Sequence, residues 1–423
     1  MVIHVVRSGD TIYSIARDYG VNPARLAAEN GLSARAALVI GQTVTVQFPD
    51  TVHIVRAGET LPSIARRYGV TVRALQRNNR YLLGRGDLRV GDVLVIAYFR
   101  APLGRFFTGG YAYPAIDRTL LQSVLPYLSA LTPFTYGIGR EGALLPPGED
   151  LTALAAAAGT KTLLHLSTVT EEGTFSNGRA GMVLRSGDIR AFLTEALLAE
   201  AERLGYAGAD VDFEFLGAEE SAAYADFVAQ LRRRFNETGR TVTAALAPKT
   251  SADQPGQLYE GHDYALLGAA ADHVFLMTYE WGYLYGPPMA VAPLPNVEQV
   301  VNYALTEIPA GKLILGVPLY GYDWTLPFVQ GESRARSLSN EEAVALARRY
   351  GAEIAYDETA RAPWFRYRDE AGNTHEVWFE DARSIEEKLR LAARKGMYGV
   401  GFWNLDRPFP QNWLVVNGLY DIL

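Results

Sequence analysis

The chain has 423 residues, 48% apolar and 21% charged, with no cysteine. That balance fits a globular protein with a sizeable core and rules out a disulfide framework or a low-complexity chain. The net charge of −7 is uneven: residues 1–97 carry 12 Arg against 7 acidic side chains (+5), while the rest carries 28 basic against 40 acidic (−12). An acidic body argues against a nucleic-acid partner, no apolar run is long enough for membrane insertion, and no basic-then-apolar segment marks a secretory signal.

The first 97 residues hold one unit twice. HVVRSGDTIYSIARDYGV begins at His4 and HIVRAGETLPSIARRYGV at His53. An offset of 49 relates Gly9 to Gly58, Thr11 to Thr60, Ile15 to Ile64, Tyr19 to Tyr68 and Asn30 to Asn79, and it becomes 50 at Gly41 and Gly91. Repetition of turn and apolar positions over this length marks a duplicated structural unit. Each copy is expected to run strand, helix, helix, strand. Ile3 to Arg7 alternates as a strand, and Asp10 or Thr11 can cap the next helix. Ile12, Ile15, Ala16 and Tyr19 share its inner face, and Gly20 stops it. Pro23 opens a second helix, and Thr43 to Phe48 forms the closing strand.

At these residues the repeat resembles the LysM domain, each copy end to end. The resemblance implies two modules, at 1–48 and 51–97, that bind glycans containing N-acetylglucosamine. Their grooves would lie between the loop Gly9-Asp10-Thr11 and the loop at Asn30, and between Gly58-Glu59-Thr60 and Asn79. From the residues alone, Gly9 and Asp10 make a turn and a cap, so the binding role rests on the family.

Residues 98–105, with Pro102 and Gly104, read as a short linker. From 106 to 423 short β-rich runs alternate with helical stretches such as Ile189–Leu204 and Glu219–Asn236. The expected strands are Phe107–Tyr113, Thr132–Ile138, Lys161–Ser167, Gly208–Glu214, Thr241–Ala247, Asp272–Tyr279, Lys312–Tyr320 and Met397–Asn404. Eight strands alternating with helices predict an α/β fold, a (β/α)8 TIM barrel, with a doubly wound open sheet as the alternative. A small β-rich insertion is expected at about 353–379, between the seventh and eighth strands.

The chemistry is expected in GADVDFEF. Asp210, Asp212 and Glu214 are two apart, so on a strand they share one face, while Val211, Phe213 and Phe215 take the other. In a parallel barrel both faces are covered, so the acids point inward and the apolar side chains pack under the outer helices. Like charges grouped there resist full ionisation and raise carboxyl pKa values, a cost usually kept for chemistry. The bland alternative is an amphipathic strand with its acids in water.

The same strand resembles glycoside hydrolase family 18, whose motif is D-x-x-D-x-D-x-E. Three of the four acids are present, and Ala207 occupies the first position. The resemblance implies Glu214 as general acid/base, Asp212 as the group that orients and stabilises the substrate's acetamido group, and Asp210 as its support. FLMTYEWGY, GVPLYGYDW and GFWNLD then end the sixth, seventh and eighth strands. By the same resemblance Tyr279 donates to the acetamido oxygen, Glu280 binds sugar hydroxyls, and Trp403 floors the reacting sugar. Tyr320, Trp281 and Tyr111 would be further sugar contacts. Taken alone, Trp403 and Tyr320 read more readily as barrel core; it is the four motifs at four strand ends that turn them toward the cleft.

Two LysM modules joined to a barrel with GGYAYP (109–114), ALAPK (245–249) and MTYEWGYLYGPPMAV (277–291) are most similar to the spore-cortex-lytic N-acetylglucosaminidases of endospore-forming bacteria. That implies retaining, substrate-assisted hydrolysis after N-acetylglucosamine in peptidoglycan, by a monomer in the outer layers or cortex of the spore or the cell wall. A chitinase and a non-catalytic glycan-binding relative are the competing readings. A metal-dependent wall deacetylase is poorly supported, because the six His include no i, i+4 pair. No metal or cofactor is expected.

Overall fold

A computed structural model describes residues 1–82 and 88–423. The extra residue of the second repeat falls between Asn79 and Gly91, a stretch that includes positions outside the described residues. In the first module Val2–Val5 pairs antiparallel with Thr43–Val46. Between them run helices Ile12–Tyr19 and Pro23–Glu29. Of the two candidate caps, Thr11 is the one used: its hydroxyl accepts from the Ser14 amide, and the Ser14 hydroxyl accepts from the Thr11 amide. Gly20, at φ 68°, closes the helix in the left-handed region that a side chain would strain. Ile12, Ile15, Leu26, Val44 and Val46 form the core. The second module repeats this with Pro49–Ile54 against Val93–Tyr98, helices Leu61–Tyr68 and Val72–Asn78, and a core of Val55, Ile64, Leu75 and Leu94.

The barrel is closed and parallel. Its strands are Gly104–Ala112, Ala130–Pro133, Lys161–Ser167, Gly208–Asp212, Thr241–Leu246, His273–Leu276, Leu313–Pro318 and Gly399–Trp403, and the last pairs with the first. Two differences from the sequence reading matter. The second strand starts and ends earlier than 132–138, and Gly137–Ile138 instead pairs with Leu144–Leu145. The fourth stops at Asp212, because Phe215 turns the chain at φ 58° and leaves Glu214 at the mouth. Phe213 stacks under the outer helix on Tyr224 and Phe227 as expected. Phe215, expected there too, is 44% exposed, since a strand that has ended no longer alternates.

The insertion is larger than 353–379. It is a five-stranded antiparallel sheet in the order Arg336–Ser339, Tyr320–Leu326, Thr374–Trp378, Ala362–Arg368, Ala355–Asp357. It begins two residues after the seventh barrel strand, and helix Asn340–Tyr350 packs on it through Ala343 and Ala347. Tyr320 therefore opens the insertion instead of ending a barrel strand.

Both modules are seated on the barrel. In the second, Arg73 donates to the carbonyls of Pro126 (3.0 Å), Gly159 (3.2 Å) and Leu125 (3.2 Å) and also to that of Leu128. These carbonyls precede the second and third strands, so this module sits at the end of the barrel opposite the catalytic mouth. In the first, Thr43 and Gln411 exchange two hydrogen bonds of 2.7 Å, and Gln47 donates to the Leu414 carbonyl (3.1 Å). A Cβ on Gly41 would lie 1.8 Å from the Ile354 carbonyl oxygen, so module and insertion touch backbone to backbone. No helix among the described residues is long and apolar enough to cross a membrane.

Candidate active site

The carboxyl ends of the strands surround a cleft of about 790 Å³. Parallel register delivers the acids: Asp210 lies beside His165 and Asp212 beside Ser167. Asp210 is fully buried, Asp212 nearly so, and Glu214 partly. Tyr111 donates to Asp210 Oδ2 at 3.0 Å. Burial, then the Asp212 charge, outweighs the pull of His165 and Tyr111 and pushes the Asp210 carboxyl up to about 6. Burial first, and the Asp212 charge second, lift the Glu214 carboxyl well above the usual carboxylate range. At neutral pH Glu214 therefore keeps a proton it can give away.

Glu214 is held by what lies behind it. His262 is fully buried; its Nε2 lies 2.8 Å from the Phe213 carbonyl, and its Nδ1 takes the Ala247 amide at 2.8 Å. Those bonds set the tautomer with hydrogen on Nε2. Burial lowers the His262 pKa, so the ring stays neutral. Lys249 ties the loop by donating to the carbonyls of His262 (3.1 Å) and Ala252 (2.9 Å). Gly261 has no room for a side chain: a Cβ there would be 2.3 Å from Leu216 Cβ.

Opposite, Tyr279 lines the cleft, and burial followed by the charges of Asp212 and Glu214 keeps its phenol protonated as a donor. Gly316 makes room for it, since a Cβ there would lie 3.0 Å from its ring. Trp403 is half-buried at the end of the last strand, edge-on to Tyr111 (5.8 Å), Tyr113 (5.9 Å) and Phe134 (5.1 Å). Trp281 lines the cleft beside Glu280. Tyr320, expected as a sugar contact, is 4% exposed and lies behind Glu280, to which its hydroxyl donates. Tyr322 donates to the same carboxylate at 2.9 Å. Tyr111 reaches the cleft with its ring but spends its hydroxyl on Asp210.

The module residues are placed differently from a free sugar-binding set. Asp10 accepts from the Arg7 amide (2.7 Å) and pairs with His4 Nε2 (2.9 Å); Glu59 does the same with Arg56 (2.8 Å) and His53 (2.7 Å). Asn30 is buried, donates to the Leu26 and Thr45 carbonyls and accepts from the Thr45 amide; Asn79 repeats this with Leu75 and Val95. Thr11 and Thr60 are caps, and Gly9 and Gly58 are exposed turns at φ 85° and 79°. The loops stand where the sequence put them, but these side chains are engaged inside the module. In the first module, a Cβ on Gly31 would meet Pro410 of the barrel at 2.6 Å.

Sequence reading missed His165, Phe134, Phe175 and the wall from Pro248 to Tyr259, all of which line the cleft. Only His165 carried a signal, as a histidine inside an otherwise apolar, fully covered strand.

The glycosyl hydrolases family 18 model matches residues 141–407, and the LysM domain model matches 4–47 and 53–97. The chain is 38% identical to the cortical fragment-lytic enzyme of Bacillus subtilis (strain 168), over 100% of this chain and 99% of that protein. The crystal structure of the Bacillus megaterium QM B1551 spore cortex-lytic enzyme SleL superposes with a TM-score of 0.84 at 35% identity, covering 100% of this chain and 98% of that one. The Bacillus cereus spore cortex-lytic enzyme SleL gives 0.84 at 36%, with the same coverage. With its barrel, its cleft of buried acids and these matches, the chain belongs to glycosyl hydrolases family 18 and is a glycoside hydrolase carrying two LysM domains.

Proposed function

We propose that this enzyme cleaves β-1,4 bonds after N-acetylglucosamine in peptidoglycan, by substrate-assisted hydrolysis with retention of configuration, and that it acts on the spore cortex or cell wall. One observation carries the mechanism: the Glu214 carboxyl, raised by burial and by the Asp212 charge, faces the same cleft as Asp212 and Tyr279. Glu214 protonates the glycosidic oxygen. The sugar's own 2-acetamido oxygen attacks the anomeric carbon, as in the family's departure from the two-carboxylate scheme. Asp212 and Tyr279 meet the developing positive charge and its N–H and oxygen, in a cleft that Trp403 also lines. Glu214, now ionised, takes a proton from the water that opens the oxazolinium ring. The substrate class is supported by the similarity to cortex-lytic relatives over the full chain.

The test is mass spectrometry of the products from cortex peptidoglycan and from chitin, with and without a thiazoline analogue of N-acetylglucosamine. Reducing-end N-acetylglucosamine from peptidoglycan, together with inhibition by the thiazoline, is the expected result. Products ending in muramic acid would overturn the bond assignment. Indifference to the thiazoline would overturn substrate assistance.

A further inference from the structure

The third barrel strand is covered on both faces, and a histidine inside such a strand is expected to have polar partners. His165 is 1% exposed and has them. Its Nε2 lies 3.6 Å from Oδ2 of Asp210 and 3.6 Å from Oδ2 of Asp212. Its Nδ1 is 2.6 Å from the Thr135 hydroxyl, which sits 2.9 Å from the Tyr136 carbonyl. The rings of Phe134 and Tyr111 close over it at 4.8 and 5.7 Å. The titratable groups that face it are Asp210 and Asp212 from the fourth strand and Tyr111 from the first; the end of the second strand supplies only Phe134 and Thr135.

The cleft walls hold the carboxyls of Asp212, Glu214 and Glu280, with Asp210 beneath. Among the described residues that line it there is no Lys or Arg, and His165 alone can carry positive charge. Oδ1 of Asp210 and of Asp212 accepts no hydrogen bond from the described residues. Two buried carboxylates so placed would tend to share protons instead of both staying ionised.

We propose that His165 is a positioning residue that supplies the counter-charge to Asp210 and Asp212, the two buried carboxyls that flank its Nε2. This rests on the reading of Glu214 as the acid. Thr135 fixes the ring, so the positive edge is aimed between the two Oδ2 atoms. His165 acts on the reacting sugar through Asp212.

The experiment is the pH dependence of kcat and KM for His165→Gln in the full chain, on soluble peptidoglycan fragments. Gln keeps a polar group and removes the charge. The acidic limb of kcat/KM should move to higher pH by about 1–3 units, the displacement a carboxylate shows when an opposite charge within a few Å is lost. The basic limb, set by Glu214, should stay, and kcat should fall more than KM changes. Adding Asp210→Asn to His165→Gln removes one of the two charges being balanced, so the two losses should combine less than additively. A uniform loss at every pH, or strict additivity, would overturn the proposal. Should the variant fail to fold, ring-nitrogen resonances of His165 in the wild type decide: a neutral ring throughout the active range refutes the counter-charge, and a doubly protonated ring supports it. Glu214→Gln is the control for the underlying reading. If that variant stays active the acid assignment fails, while the acidic limb of His165→Gln still reports on the pair.

Discussion

At the scale of single residues the site gathers carboxyls whose pKa burial raises, Asp210 and Glu214. Glu214→Gln should leave the melting temperature intact or higher and reduce turnover by about 10²–10⁴-fold, the range for losing a positioned acid. Circular dichroism and a rate assay on the same sample check both halves. Asp210 makes the sharper stability prediction. Its folded pKa, about 6, lies above the ordinary 3.8, so the folded state binds its proton more tightly than the unfolded chain does. Stability from this group is therefore greatest below 3.8 and falls as pH rises through about 6. Asp210→Asn removes that burden at neutral pH and should stabilise by about 3 kcal/mol at most, at 1.36 kcal/mol per pKa unit, while lowering activity. A melt at pH 7 that moves downward would show that its charge is better compensated than the burial implies.

At the scale of elements, loops position what strands deliver. His262 lies 49 positions from Phe213 in the chain yet holds its carbonyl. His262→Ala should leave that carbonyl and the Ala247 amide unpaired, at about 1–3 kcal/mol for each buried group, and should lower kcat more than it raises KM. Denaturant melts and steady-state kinetics test this, and a KM effect alone would argue against a role for His262 in placing Glu214. In the modules, the acid beside each turn is a fastener. The backbone amide of Arg56, followed by His53, holds the Glu59 carboxyl down at about 2, below its ordinary 4.5. The stabilisation it gives is present above 4.5 and is lost as pH falls toward 2. Hydrogen exchange in peptides from 53–70 should accelerate over that window, and Glu59→Gln should flatten the response. Much of this scale was legible in the chain. Period and capping residues placed the module helices within a residue or two, because those signals are local. The second barrel strand and the start of the insertion were misplaced, because the residues that follow Pro133 and Leu319 are as β-prone as the strands before them, and only pairing partners decide where one element ends.

At the scale of the whole molecule the modules are part of the body. Arg73 gathers four barrel carbonyls. A guanidinium shared this way gives hydrogen bonds of about 1.5–3 kcal/mol each to a charged group in mutational series, and they are not additive. Arg73→Ala should cost about 2–4 kcal/mol and loosen the second module, seen as faster exchange in helix Val72–Asn78, with cleavage of short soluble glycans unchanged. Protection equal to the wild type would mean that the module holds its place without this anchor. The seating also bears on how polymer is held. With the second module at the opposite end of the barrel, one straight strand does not run from it into the cleft.

The sequence by itself determined the repeat, the barrel, and the grouping of Asp210, Asp212 and Glu214 at the end of the fourth strand. Each depends on spacing along the chain, and a side-chain period of two or 3.6 is a local property of the backbone. Tertiary structure alone decided that His165 stands between Asp210 and Asp212, that His262 grips Phe213, that Tyr320 backs Glu280, and that both modules rest on the barrel. Each of those joins residues from separate elements, whose proximity follows from strand register and barrel closure. No spacing within the chain encodes that proximity.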